Sequence, residues 1–224
     1  MLLEPLVTRS EGCPTCRFAA ELKVCPYGGS VNGATEHGWE TVGRAEVYAG
    51  RVRLVDHSVV LGDGTRSNYE VDESIPFAVA TLVVDDEHVV LTRQYRYPLD
   101  RWIYDLPGGA GDENETPEAA ASRELEEELG LIPNELTPLH TFYMNPGRAA
   151  WPTHLFLCDA GTATGTIDTS DPAEQVNQAR VRLTELDAAI ASGEIVDPSL
   201  IVARACAAAR GLLPPLTVSN RGDC

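Results

Sequence analysis

Lys and Arg total 17 against 34 Asp and Glu in this chain of 224 residues, a formal net charge of -17. That balance excludes a nucleic-acid backbone or an anionic membrane as the principal partner, because neither would be steered towards it. Hydrophobic residues make up 43%, enough for a sizeable core, and the length fits one domain with an extension.

The chain opens MLLEPLVTRSEGCP, with no basic segment leading into an apolar run, and no later stretch is long and apolar enough for a membrane span. A cytoplasmic location is the expectation. Six cysteines, Cys13, Cys16, Cys25, Cys158, Cys206 and Cys224, are too sparse for a disulfide framework and are expected to be reduced. Residues 1–40 read as an extension of different composition, with a CPTC pair and a polar Gly-rich run. Cys13, Cys16 and Cys25, with His37, would make a Zn²⁺ site of the CxxC kind, but a second CxxC is missing. An extension that happens to hold cysteines explains the same residues.

Residues 41–213 then read as one folded domain, followed by a tail, 214–224. RAEVYAGRVRLVDHSVVL alternates in strand fashion and meets RSNYEV through a Gly-Asp-Gly turn, which predicts antiparallel strands with His57 half-buried inside them. PFAVATLVV and HVVLTRQY are apolar enough to be central strands. The second runs into RQYRYPLDRWIYDLPGG. Arginines at a strand end facing a site can pair bidentately with phosphate, and a nearby Tyr or Trp can stack on a base.

GAGDENETPEAAASRELEEELGL, residues 109–131, is the most informative stretch. Thr116 suits an N-cap, Pro117 the first helical position, and Gly130 a left-handed helix end, so a loop, a three-turn helix and a turn are predicted. Helical spacing puts Glu124, Glu127 and Glu128 on one face and Leu125 and Leu129 on another. Three like charges so placed call for a cation, and hard ions that take oxygen ligands, Mg²⁺ or Mn²⁺, fit. Arg123 can orient one carboxylate through a forked hydrogen bond. A solvated Glu-rich face would explain ELEEEL by itself. The whole pattern is more specific, with a chance occurrence of about one in a million in a chain of this size.

Gly109, Glu115, Arg123, Glu124, Leu125, Glu127, Glu128, Gly130 and Leu131 fill every position of G-x5-E-x7-R-E-U-x-E-E-x-G-U, where U is aliphatic. The chain therefore resembles the Nudix hydrolases. The resemblance implies an α/β fold, more strictly α+β, in which a mixed sheet is sandwiched between helices, carries the loop-helix-loop motif and is preceded by antiparallel strands. It also implies Mg²⁺ at a diphosphate, with the Gly108 carbonyl joining Glu124, Glu127 and Glu128 as ligands, and Arg123 and the glutamates as the catalytic set.

Arg93, Gln94, Tyr95 and Arg96, with Leu106 to Gly109, further resemble the RQYR and LPxG segments of the subgroup that cleaves ADP-ribose and other nucleoside diphosphate sugars. Arg93 and Arg96 are accordingly expected at the substrate. Asp105 stands where that subgroup commonly has Glu. Pro146, fifteen residues after Leu131, resembles the proline that marks the ADP-ribose pyrophosphatases, and with Gly147 it is expected at the pocket rim, although a turn proline needs no substrate.

ELTPLHTFYM and THLFLCDA are predicted strands, the second burying Cys158. The loop that follows, GTATGTIDTSDPAEQ, matches the place where the subgroup carries an acidic residue that activates water. Glu174 is the first match and Asp171 the second, while Pro172 and Asn177 occupy positions often acidic. VNQARVRL reads as the last strand, LTELDAAIASGEI as a helix ending at Gly193, and DPSLIVARACAAARGLL as a helix capped by Asp197 and stopped by Pro214 and Pro215, with Cys206 buried among alanines.

The expected activity is Mg²⁺-dependent hydrolysis of the diphosphate of ADP-ribose or a related nucleoside diphosphate sugar, by a homodimer as in related enzymes. The rivals are cleavage of GDP-mannose or NADH, and a non-catalytic ADP-ribose sensor, which an eroded box would favour.

Overall fold

The computed structural model describes residues 38–164 and 176–217. Three antiparallel strands come first, β1 (Glu40–Ala49), β2 (Arg53–Val60) and β3 (Arg66–Asp72), adjacent in that order. Residues 50–52 divide β1 from β2. The Gly-Asp-Gly turn joins β2 to β3, closed by Gly64 N–H on the Leu61 carbonyl and by Thr65 N–H on Asp63 Oδ1. β2 buries Val55 and Val59, whereas β1 is exposed at nearly every position. His57 is half-buried in β2, with Nε2 at 2.9 Å from Glu73 Oε1.

The larger sheet is built from β4 (Phe77–Asp85), β5 (His88–Arg96), β6 (Arg101–Asp105), β7 (Gly108–Gly111), β9 (Thr137–Phe142), β10 (Thr153–Asp159) and β12 (Val176–Arg182), while β8 (Leu131–Ile132) and β11 (Thr162–Ala163) form a separate short ribbon. Its order is β12-β5-β4-β10-β9, with β6 added to β5 and β7 to β4. The β10–β4 pairing is parallel and the others antiparallel, which makes the sheet mixed.

Three helices complete the described residues: α1 (Pro117–Leu129), α2 (Leu183–Ser192) and α3 (Pro198–Ala209). Alternation along β4 divides them between the faces. Val79 and Val83 pack towards Ala120, Ala121, Leu125 and Leu129 of α1, whereas Ala80 and Leu82 pack towards Leu186 of α2 and Leu200, Ala203 and Ala207 of α3. Both faces are covered, which is why the strand reads as one apolar run with no polar alternation. Full burial of a Leu such as Leu125 contributes about 1.5–3 kcal/mol, so α1 is fixed to the sheet chiefly through this stripe.

The ends of α1 are as its sequence predicts. Thr116 Oγ1 accepts the Ala119 N–H at 3.2 Å, and Gly130 closes the helix at φ 61. The last helix differs from expectation: α3 stops at Ala209, short of Pro214 and Pro215, because the chain turns at Gly211 and the Leu212 and Leu213 N–H groups return to the Ala207 carbonyl. Cys206 is half-buried rather than buried. The buried charged residue of that helix is Arg204, 1% exposed, paired with Asp187 of α2 at 2.8 Å and donating to the carbonyls of Pro214 and Pro215. Among the described residues no helix is long and apolar enough to cross a membrane.

Candidate active site

The turn at Leu106 and Pro107 carries the chain from β6 into β7, and the Pro107 carbonyl accepts the Thr81 N–H at 2.9 Å. β7 therefore runs beside α1 with its two leading glycines against the helix carboxylates. An ideal Cβ on Gly109 would lie 2.6 Å from Glu124 Oε1, so this carboxylate rests on bare backbone, an approach that any larger residue would block. One turn further, Glu128 Oε2 accepts the Gly108 N–H at 2.9 Å.

Arg123 organises the outer half of the cluster. Its Nε and Nη2 fork onto Glu115 at 3.1 and 3.2 Å, while Nη1 donates to Glu124 Oε1 at 2.8 Å and to Glu127 Oε2 at 3.1 Å. Nη2 also reaches the Ala110 carbonyl at 3.1 Å. One guanidinium thus binds three carboxylates of the box to β7, and fork geometry fixes their directions as well as their charge. These hydrogen bonds hold Glu115 below the usual carboxylate range and raise Arg123.

Glu128 stands in the opposite condition. Burial pushes its carboxyl up to about 8, and the negative charges of Glu124 and Asp105 add to that effect. The Gly108 N–H and the Arg96 charge oppose it without cancelling it. A buried acid crowded by like charges is a site short of positive charge, and oxygen donors alone in such a site suit a hard divalent ion. The residues present therefore fit Mg²⁺ or Mn²⁺. Among the described residues no three His, Cys, Asp or Glu side chains are already gathered as a metal site; Arg123 engages Glu124 and Glu127, and the β7 backbone engages Glu128.

Arg96, at the end of β5, forms an ion pair with Asp105, which is buried at the end of β6. Arg96 is near enough to Glu128 to lower its pKa, so it belongs to this cluster. Arg93 lies elsewhere. Strand alternation turns it to the other face of β5, with its guanidinium 5.4 Å from the centre of the Trp102 ring, in a group with Tyr95.

Pro146 and Gly147 lie in a turn that Arg148 N–H closes on the Asn145 carbonyl at 2.9 Å. That turn is tied to β3, where Tyr69 O–H donates to the Gly147 carbonyl and Asp72 N–H to the Arg148 carbonyl. Between β3 and the turn is an open cleft of about 510 Å³, lined by Tyr69, Glu70, Gly147 and Arg148 among others and by none of the box carboxylates.

Thus Gly108, Arg123, Glu124, Glu127, Glu128 and Arg96 converge, while Arg93, Pro146 and Gly147 do not join them. Glu174, Asp171, Cys13, Cys16, Cys25 and His37 lie outside the described residues. The chain on either side of 165–175 returns to the C-terminal end of α1, with Thr164 N–H on the Gly130 carbonyl at 2.7 Å and Gln178 Nε2 on the Leu129 carbonyl at 3.0 Å.

Sequence reasoning left Asp105 without a role and read Asp197 only as a helix cap. The charge of Asp105 adds to burial in pushing the Asp197 carboxyl up to about 7. No sequence signal links the charges of two aspartates on separate elements, β6 and α3.

Comparison with known proteins shows the family and the fold. The model of the NUDIX domain matches residues 75–200. The chain is 34% identical over 160 residues to an ADP-ribose pyrophosphatase of Bacillus subtilis (strain 168), spanning 70% of this chain and 86% of that protein. It is 30% identical over 166 residues to a methanol dehydrogenase activator of Bacillus methanolicus, spanning 73% and 89%. Among solved structures, a crystal structure of an ADP compounds hydrolase superposes with a TM-score of 0.64 at 21% identity, covering 80% of this chain and 99% of that one, a likeness of fold.

Proposed function

The chain belongs to the NUDIX family of hydrolases, and on that footing we propose that it cleaves the diphosphate of ADP-ribose or a related nucleoside diphosphate sugar. The products from ADP-ribose would be AMP and ribose 5-phosphate. The observation that carries this reading is the convergence of Glu124 and Glu128 on the Gly108–Gly109 backbone with Arg96 beside them, which places oxygen donors for a cation next to a cation for phosphate.

Mg²⁺ or Mn²⁺ would be held by the Gly108 carbonyl with Glu124, Glu127 and Glu128. When bound, such an ion supplies Lewis acidity towards the diphosphate and towards water. Arg123 keeps Glu124 and Glu127 aimed at the site and shields their mutual repulsion. Arg96 presents positive charge to the diphosphate and stabilises the departing phosphate. In the reaction a water oxygen bonds to phosphorus in line, the bridging P–O bond breaks towards the leaving phosphate, and the water proton passes to a carboxylate. Glu174, the expected base, falls outside the described residues.

Within the same proposal, residues 41–213 form the catalytic domain between the segments 1–40 and 214–224, the enzyme is cytoplasmic, and two copies associate. The exposed faces of β1 support association, with Val42, Val47 and Tyr48 each about half exposed.

Release of AMP from ADP-ribose with Mg²⁺, measured beside ADP-glucose, GDP-mannose, NADH and a nucleoside triphosphate, tests the assignment. Preference for ADP-ribose is the expected result. Equal cleavage of several sugars keeps the chemistry and withdraws the substrate. Tight binding of ADP-ribose without cleavage makes the protein a sensor.

A further inference from the structure

Arg96 is the last residue of β5 and pairs with Arg101 at the start of β6, whereas Asp105, the last residue of β6, pairs with Thr92. Four residue steps along a strand span about 13 Å, so the Arg96 side chain must run back along the hairpin for its Nη2 to meet Asp105 Oδ2. Nothing local favours that course. The residue directly across from Arg96 is another cation, and like charges in opposed positions repel. The Arg96 side chain is also 44% exposed, so packing leaves it free to take solvent-facing rotamers, of which a long side chain has many.

Asp105 is fixed on its own side of the pair. It is 7% exposed, its Oδ1 accepts the Leu106 N–H at 2.9 Å, and its carbonyl accepts from the buried Thr92 hydroxyl at 3.2 Å. A carboxylate at this burial requires a cationic partner, and its pull on one is little screened by solvent. From Asp105 the chain passes through Leu106 and Pro107, where the Thr81 N–H holds the Pro107 carbonyl, to Gly108, whose N–H donates to Glu128 at 2.9 Å. One tied-down turn therefore joins the partner of Arg96 to the backbone on which the box carboxylates rest.

We propose that Asp105 is a positioning residue for Arg96: it draws the guanidinium away from solvent and back along the hairpin, and so holds this cation beside the Gly108–Glu128 contact before any substrate arrives. The proposal rests on the diphosphate reading above. A guanidinium carries five N–H donors and the ion pair with Asp105 uses Nη2, so the fork keeps donors for phosphate. Binding then carries no further cost for ordering Arg96. Asp105 touches no substrate and acts only through Arg96.

Two readouts on the full chain test this. The first needs no ligand: nitrogen relaxation of the Arg96 Nε–H, assigned by its absence from Arg96→Ala. An order parameter near the rigid-backbone value of about 0.85 is expected in the wild type, falling below about 0.6 in Asp105→Asn, whose amide oxygen still accepts the Leu106 N–H but whose lost charge no longer attracts the guanidinium. The second is the dissociation constant of ADP-ribose without divalent metal. Asp105→Asn weakens binding about fivefold, the scale of ordering one long side chain, and Asp105→Glu, which keeps the charge, recovers most of that loss. In Arg96→Ala binding is also weaker, and adding Asp105→Asn to it changes the constant by less than about twofold. A mobile Arg96 in the wild type overturns the proposal, whether or not Asp105→Asn folds. Unchanged or tighter binding in Asp105→Asn, equal losses in Asp105→Asn and Asp105→Glu, or the same fivefold loss in the Arg96→Ala background overturns the action through Arg96. Failure of the wild type to bind ADP-ribose removes the substrate reading, while the relaxation data still decide whether Asp105 holds Arg96.

Discussion

Adding one methyl group at Gly109 should reach the chemistry with little effect on the fold. In Gly109→Ala the new Cβ would stand 2.6 Å from Glu124 Oε1 and 2.9 Å from its Cδ. Ordinary van der Waals contact begins near 3.4 Å, so the carboxylate must retreat by about 0.8 Å. The obstruction is the far end of a flexible side chain, and the backbone need not move. The retreat does disturb the 2.8 Å hydrogen bond from Arg123 Nη1, and with it the direction of the carboxylate. A misplacement on the order of 1 Å in a catalytic group costs roughly 100-fold in rate, equivalent to about 2.7 kcal/mol at the transition state. The expected outcome is a kcat for ADP-ribose lowered about 100-fold with a thermal midpoint within about 2 °C of wild type. Gly38→Ala, with nothing within 4 Å of the added carbon, serves as the silent control. A Gly109→Ala enzyme with kcat within about threefold of wild type would refute the argument that Glu124 must rest on the β7 backbone.

Three further outcomes are expected. Glu124→Gln binds ADP-ribose but loses turnover by about 100-fold or more, as equilibrium binding and initial rates on the same preparation will show, because the amide keeps the shape and discards the charge. Arg204→Met leaves Asp187 buried without its cation and lowers stability by about 3–5 kcal/mol in urea unfolding, whereas Asp187→Leu combined with Arg204→Met recovers most of the loss; an equally unstable double variant would count against the stranded charge as the cause. The third concerns pH. Asp197 is raised from 3.8 to about 7 on folding, so the folded chain keeps a proton that the unfolded chain releases. The resulting stability is complete below pH about 4 and disappears as pH rises to about 7, a loss of roughly 2–4 kcal/mol that urea midpoints at pH 4.5 and pH 8 should detect. In Asp197→Asn the fall between the two pH values should shrink, the remainder belonging to Glu128, which burial pushes up to about 8; an unchanged fall would count against this residue.

Much of the fold was legible because local signals and burial agree. Thr116, Pro117 and Gly130 delimit α1 by backbone chemistry that needs no tertiary partner, and Leu125 and Leu129 mark its buried face by spacing alone. β4 was legible as a central strand for the complementary reason, since helices on both faces remove the polar alternation. Arg204 was not legible. A charged residue among alanines on a helix reads as solvated, and its burial depends on Asp187 of α2 and on the carbonyls of Pro214 and Pro215 arriving at the same place.

The same division runs through the site. Sequence alone determined which residues carry the carboxylates and which arginine serves them, because Arg123, Glu124, Glu127 and Glu128 lie within two turns of one helix, where 3.6 residues per turn sets who is adjacent. Only the tertiary structure decided what those carboxylates face. It placed Glu124 on Gly109 and Glu128 on Gly108, and sent Arg96 to Asp105 and Arg93 to Trp102. Strand ends and helix ends meet through the packing of whole elements, and the charge that each buried acid carries depends on neighbours distant along the chain.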